Sequence, residues 1–241
     1  MERVFKTWTG YASQFTGECF DLAKPFIDSE CQKLDPLVRF VAAQLFIDCH
    51  LSSESVLLLI RAQKEWDADL ISRSVMEGTF KFTYMLDGSA DEVKAKTHEY
   101  WNLLPQFYTI KHSERAKRFL EDVPNPDSPE WQPFHDLIID DSEIATTRAT
   151  FSRQERQYLE EKWSFSGICK SFAKSENSGL NMFAHLVHGY GMSSHLLHKD
   201  ADGIGMVWER NRRDAERQMA VLDSTGGCNR LGKSFCRCLV V

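Results

Sequence analysis

Apolar side chains recur at helical spacing through most of the chain, beginning with the first segment. Residues 2–24 place them mostly three or four positions apart, which predicts a helix that Pro25 interrupts or ends. Asp35-Pro36 has the form of an N-cap followed by a first-turn proline. These two residues predict a second helix, which we expect to end near His50.

The segment 54–87 carries apolar residues on two opposite faces. A helical wheel centred on Trp66 places Arg73 and Glu77 within about 40° of it. The apolar residues beside Trp66 are Leu59, Ala62, Leu70, Phe80 and Tyr84, and those on the opposite face are Ile71, Val75, Phe82 and Leu86. Two apolar faces predict a central helix that packs on both sides, with its start capped by the serines that precede it.

Arg73 and Glu77 stand out because they interrupt one of these apolar faces. Charged side chains are rarely buried without a partner, since desolvation costs several kcal/mol per ion. The two residues are four positions apart, a spacing that allows their side chains to pair on one helix. We therefore expect an internal ion pair.

The rest of the chain also reads as helical. A polar-faced helix is expected over 90–120, and the proline-rich segment 122–134 is interpreted as a loop within one domain. Ser152 with Glu155 forms a capping-box pattern that opens a helix over 152–176, and further helices follow over 180–200 and 204–223. The fold class is thus a single all-α domain over 1–225, a bundle of about six to eight helices, followed by a cationic, cysteine-containing tail at 226–241.

Composition narrows the function classes. A formal charge of −6 argues against a globally basic nucleic-acid binder. Seven scattered cysteines and a polar N-terminus favour reduced thiols in the cytoplasm, without a signal peptide. No run approaches the about 18 apolar residues that a spanning helix needs, so we expect no membrane partner. No dinucleotide or phosphate-loop motif is present, and no cofactor is expected.

Half of the eight histidines fall within the predicted helix 180–200. On a wheel centred on His188, His195 lies about 20° away and His185 lies within about 60°. Three hypotheses compete for this stripe. The histidines are structural and hydrogen-bonded in the core, or they bind a metal with an oxygen ligand from Glu77 or Asp69, or His188 is a general acid–base beside Arg73 and Glu77.

The segment around Arg73 and Glu77, with the later sequence Val187-His188-Gly189, resembles a bacterial family of uncharacterised helical proteins. That family carries an R-x-x-x-E pattern on a long helix and a V-H-G motif on a later one. It is in turn similar to HEPN proteins, which are all-helical, often dimeric RNases of toxin and phage-defence systems. The HEPN hallmark R-x4–6-H is absent, because no arginine occurs between 156 and 210.

The resemblance implies metal-independent RNA cleavage in bacterial stress or phage defence, by His188 with Arg73 in a homodimer. Glu77, His185 and His195 complete the candidate catalytic set. The alternative is a non-enzymatic helical interaction module that binds a protein partner. In that case Arg73, Glu77 and His188 form a structural polar network. The specific structural prediction is contact between His188 and Arg73 or Glu77.

Overall fold

The computed structural model describes residues 2–27, 34–186, 190 and 198. Within these ranges the fold is all-helical and contains no strand, as the sequence predicted. The helices are α1 (Glu2–Ile27), α2 (Pro36–Arg61), α3 (Glu65–Leu86), α4 (Ala90–His98), α5 (Leu104–Asp122), α6 (Gln132–His135), α7 (Asp141–Thr150), α8 (Arg153–Lys162), α9 (Phe165–Ala173) and α10 (Ser178–Ala184). Apart from the single turn α6, the described residues thus form nine helices, more than the six to eight expected.

The chain divides into two compact units. One comprises Met1–Asp87 with Ile168–Val241, of which the described part holds α1, α2, α3 and α10, and the other comprises Gly88–Gly167. The predicted domain boundary at residue 225 and the tail 226–241 lie outside the described residues. The prediction of a single domain therefore stays a prediction.

Helix α2 begins as predicted and ends later than predicted. The Asp35 carboxylate accepts hydrogen bonds from the amides of Leu37 and Val38, at 2.9 and 3.4 Å, and so caps the helix. The helix does not end near His50 but continues to Arg61.

The serines that were expected to start a new helix lie inside α2 instead. Ser53 donates to the carbonyl of Cys49 at 2.7 Å, and Ser55 donates to that of Leu51 at 3.1 Å. Such back-bonding to the preceding turn satisfies a serine within a helix, so neither hydroxyl is used as a cap. Ser53 is also completely buried, which anchors this part of α2 in the unit.

The break between α2 and α3 lies at residues 62–64. Gln63 adopts a positive φ of 59°, a left-handed conformation that ends regular helix. The predicted helix 54–87 is therefore two pieces, the end of α2 and the whole of α3.

Helix α3 packs on both sides, as its two apolar faces predicted. On one side Phe82 lies against Phe46 of α2, with ring centroids 6.4 Å apart. On the other side the buried Phe80 ring contacts Phe172 of α9 at 5.5 Å and Phe183 of α10 at 5.4 Å. This aromatic cluster joins α3 to the start of the predicted histidine helix.

The unit Gly88–Gly167 is organised around a widened turn between α4 and α5. Residues Glu99–Leu103 form a π-helix just before Pro105, which has no amide hydrogen to donate to the preceding turn. Within this turn Glu99 accepts hydrogen bonds from Lys162 at 2.6 and 2.8 Å and from the indole of Trp163 at 2.9 Å. The carboxylate is thus held by two neighbours near the end of α8.

The predicted helix 152–176 is also interrupted. Its start is confirmed, because Ser152 and Glu155 form a reciprocal capping box. The helix then ends at Lys162, and α9 begins at Phe165. The buried Trp163 occupies the break, where its indole bonds to Glu99.

By length and composition alone, α2 would be able to cross a membrane, so the expectation that no segment is long and apolar enough was wrong. Core helices of soluble proteins pass the same test, so this property does not decide the compartment. Only 28% of the most apolar 18-residue stretch of α2 is buried, so α2 is not a fully enclosed core helix.

Candidate functional site

The ion pair expected within α3 is present. The Arg73 side chain donates from Nε to Glu77 Oε1 at 3.3 Å, one helical turn further along. The Arg73 side chain is 15% exposed and that of Glu77 is 33% exposed. The pair is thus partly withdrawn from water. Its attraction is therefore screened less than that of an ion pair on an open surface.

Tyr190 completes this pair from a distant part of the chain. Arg73 Nη2 donates to the Tyr190 hydroxyl oxygen at 2.6 Å, and that hydroxyl donates to Glu77 Oε1 at 2.7 Å. The Arg73 guanidinium also lies over the Tyr190 ring, 4.2 Å from its centroid, in a cation–π arrangement. The three side chains form a closed ring of hydrogen bonds, which we call the Arg–Glu–Tyr tie.

The surroundings of the tie raise the pKa of its phenol. Burial and the hydrogen bond to Glu77 raise the pKa of Tyr190 above its ordinary value, and the Arg73 guanidinium opposes this shift only in part. At neutral pH the hydroxyl is therefore protonated and acts as the donor to Glu77.

One nitrogen of Arg73 is left over. Nη1 is buried and has no hydrogen-bond partner among the residues that the structure describes. Arginine carries five N–H donors, and an unpaired buried donor costs about 1–3 kcal/mol. The tie therefore uses Nε and Nη2 of the guanidinium fork, while Nη1 is sealed from solvent.

Of the three histidines in the candidate catalytic set, the structure describes only His185. His188 and His195 lie outside the described residues, and so does the predicted contact of His188 with α3. His185 follows the last residue of α10 and is exposed. Across the described ranges, no hydrogen bond or ion pair joins His185 to Arg73 or Glu77.

Sequence reasoning missed Tyr190. A wheel over 180–200 centred on His188 turns Tyr190 to the opposite side, because the two are about 200° apart on a regular helix. Regular helix ends at Ala184, so the phase of such a wheel is not carried through His185 and Leu186. The available signal was the side chain itself, a phenol flanked by Gly189 and Gly191 close to the motif histidine.

No metal centre is found in the described part of the chain. Within those residues no three histidine, cysteine or acidic side chains lie close enough to hold an ion. The metal hypothesis depended on His188 and His195, which are not described, so it stays one of the open alternatives.

The thiols have no activating environment in the described ranges. Burial raises the pKa of Cys49 and that of Cys169 to about 11 each. A thiol with so high a pKa is almost entirely protonated at neutral pH and is a poor nucleophile. These thiols therefore do not provide a candidate nucleophile.

No family model, curated protein or solved structure matches this chain. The resemblance to the R-x-x-x-E family and to HEPN proteins therefore stays a prediction.

Proposed function

We propose that the protein is a non-enzymatic helical interaction module of the cytoplasm, in which the Arg–Glu–Tyr tie holds Tyr190 against α3. In this proposal Tyr190 supplies the third member of the polar network. The network specifies the packing of two apolar surfaces, a role for which buried polar groups are known in other helical proteins.

The closed geometry of the tie carries this proposal. A catalytic arginine has to present a donor to substrate, yet Nε and Nη2 of Arg73 are committed to Glu77 and Tyr190. The remaining nitrogen, Nη1, has no contact with solvent. An arrangement in which all three side chains bind one another is suited to fixing a structure rather than to binding an anion.

The exposed apolar residues of the same unit support an interaction role. Large apolar side chains that stand together on a surface mark sites of protein association. On α2 those with substantial exposure are Phe40, Leu51 and Leu58, which fall on one side of the helix. A scaffold held internally by a polar tie would present them to a protein partner.

The tie is tested by removing one oxygen atom. Tyr190→Phe leaves Arg73 Nη2 without its acceptor and Glu77 with one donor fewer. We expect a loss of about 1–3 kcal/mol in the free energy of unfolding. For a chain of this size that is a fall of roughly 2–4 °C in Tm per kcal/mol, measured by circular dichroism.

The matched control is Tyr158→Phe, since Tyr158 is a well-exposed tyrosine on α8. That change should leave Tm within experimental error. Combining Tyr190→Phe with Glu77→Gln should cost less than the sum of the two single changes, because both act on one ring of hydrogen bonds. Additive losses, or no loss from Tyr190→Phe, would refute the tie.

The second candidate is an RNase with a HEPN-like fold and with His188 and Arg73 in the catalytic roles. The charge of Arg73 favours it, because its Nε and Nη2 donors would be free to engage a phosphate if the tie opened. The side chain that closes the tie, Tyr190, lies only two residues beyond His188.

An RNA cleavage assay distinguishes the interaction module from the RNase. Purified wild-type protein and His188→Ala are incubated with tRNA and with mRNA, and the products are separated on denaturing gels. The interaction module predicts that both proteins leave the RNA intact. Cleavage by the wild type that His188→Ala abolishes would overturn the interaction proposal and establish the nuclease.

A further inference from the structure

Helix α2 presents a straight apolar stripe on its outer side. Phe40, Ile47, Leu51 and Leu58 fall within about 20° of one line along the helix axis. Phe40 is 47% exposed, Leu51 is 56% exposed and Leu58 is 65% exposed, while Ile47 is half-buried. From Phe40 to Leu58 the stripe runs for about 27 Å, or five turns. We call these four residues the α2 stripe.

The stripe is a different surface from the one that builds the core. The buried residues of α2 are Val38, Val41, Ala42, Ala43, Ser53, Val56 and Leu57. On the same wheel these residues lie at least about 60° from the stripe. Among the described residues, the packing of α2 onto α1 and α3 thus leaves the stripe on the outside.

The order of residues along the stripe is nearly the same in both directions. With Gln44 and Glu54, which lie on the same side, the order is apolar, polar, apolar, apolar, polar, apolar. Its centre lies at Cys49. A second copy placed antiparallel about that centre would put Phe40 opposite Leu58, Gln44 opposite Glu54, and Ile47 opposite Leu51.

We propose that the α2 stripe binds the α2 stripe of a second copy of this chain, in an antiparallel homodimer. A two-fold interface uses the same patch on both subunits, so the patch has to be complementary to itself. The symmetric order of the stripe provides this property for an antiparallel pair. The proposal deepens the interaction module by naming its partner.

The charges beside the stripe favour the antiparallel arrangement. In a parallel pair each Glu54 would face Glu54 of the other copy, and each Arg61 would face Arg61. In the antiparallel pair Glu54 faces the neutral amide of Gln44, and Arg61 comes near the end of the helix capped by Asp35. Antiparallel helices also bring the positive N-terminal end of one dipole beside the negative C-terminal end of the other.

The size of the contact sets the expected strength. Helix α2 has 26 residues, so it is about 39 Å long and about 10 Å wide. Two such helices share a footprint on the order of 400 Å² per copy, below the roughly 800 Å² per partner of a standard stable interface. The dimer should therefore be weak and reversible.

The test measures the mass of the full-length protein against concentration, by light scattering and sedimentation. The wild type should shift from the monomer mass towards the dimer mass across the micromolar range. Leu51→Glu should stay monomeric throughout, because the new carboxylate faces Ile47 of the other copy. The matched control is Leu22→Glu on α1, which replaces a still more exposed leucine, at 83%, and should dimerise as the wild type does.

Cross-linking tests the direction of the pair. Chains carrying Ile47→Cys are mixed with chains carrying Leu51→Cys, and the disulfides that form are mapped by mass spectrometry. Disulfides that the wild-type protein also forms are subtracted. The antiparallel pair predicts that links between positions 47 and 51 dominate. Links of 47 to 47 and of 51 to 51 would overturn the proposed arrangement.

Other occupants of the stripe give other results, and each overturns the proposal. A monomer at every concentration, with a Tm that Leu51→Glu lowers, would show that the stripe is covered by the same chain. Wild-type protein that sediments with phosphatidylcholine vesicles, and no longer does so after Leu51→Glu, would show that the stripe binds a membrane. The Arg–Glu–Tyr tie is tested by the Tm of its variants and by RNA cleavage, whereas the dimer is tested by molecular mass. The proposal about the tie can therefore be refuted while the dimer is confirmed.

Discussion

Gly78 permits a close approach between α2 and α3, one residue beyond Glu77. A Cβ atom built on Gly78 would lie 2.5 Å from Cys49 Sγ. Atoms of this kind normally stay about 3.5–4.0 Å apart. The same sulfur lies 3.8 Å from the carbonyl oxygen of Val75, to which it donates a weak hydrogen bond. Gly78→Ala therefore has to displace Cys49 or separate the two helices.

The size of the effect follows from two opposing contributions. Overpacking of a filled contact costs typically 1–3 kcal/mol, while replacing glycine by alanine inside a helix contributes about 0.5–1 kcal/mol of stability. We expect Gly78→Ala to lower the free energy of unfolding by about 1–2 kcal/mol. At roughly 2–4 °C per kcal/mol, the fall in Tm is then about 2–8 °C.

The assay is a double-mutant cycle followed by urea unfolding and by Tm. Cys49→Ala removes the sulfur that the new methyl group meets, so Cys49→Ala/Gly78→Ala should be more stable than the sum of the single changes predicts, by about 1–3 kcal/mol. The control is Gly17→Ala in α1, where an added Cβ meets no atom within 4 Å. That change should be neutral or stabilising.

Two results would refute this reasoning. If Gly78→Ala raises Tm as Gly17→Ala does, the helices are not in tight contact at this glycine. If the losses from Cys49→Ala and Gly78→Ala simply add, the sulfur is not the atom that the methyl group displaces.

Two further predictions concern the other unit and the tie. Gly167→Ala should cost about 3 kcal/mol or more, since its Cβ would overlap the carbonyl oxygen of Glu161, a backbone atom that cannot rotate away; a fall in Tm no larger than that of Gly78→Ala would contradict this. The pKa of Tyr190 is raised in the folded state, so its contribution to stability is fully present below the unfolded pKa of about 10 and is lost as pH rises through the folded pKa. Unfolding measured from pH 8 to pH 11 should show a decline for the wild type that is smaller for Tyr190→Phe, and parallel curves would contradict the shift.

Local sequence patterns determined the helical class and several helix starts. Asp35 and Ser152 cap their helices as predicted, because a cap depends on a side chain and the backbone amides two or three residues away. The pairing of Arg73 with Glu77 is local for the same reason, since four residues make one turn. The two apolar faces of α3 also pack against neighbouring helices, as predicted. The sequence pattern did not show which helices these would be.

The tertiary structure decided where local signals were ambiguous. A serine suits both a cap and a back-bonded position inside a helix, and only the burial of Ser53 shows which role it takes in α2. The tertiary structure also decided which residue binds the Arg73–Glu77 pair. Tyr190 reaches α3 from more than a hundred residues away, beyond the point where α10 ends. Helical periodicity holds only while the helix continues, so only the tertiary structure shows that Tyr190 is the third member of the tie.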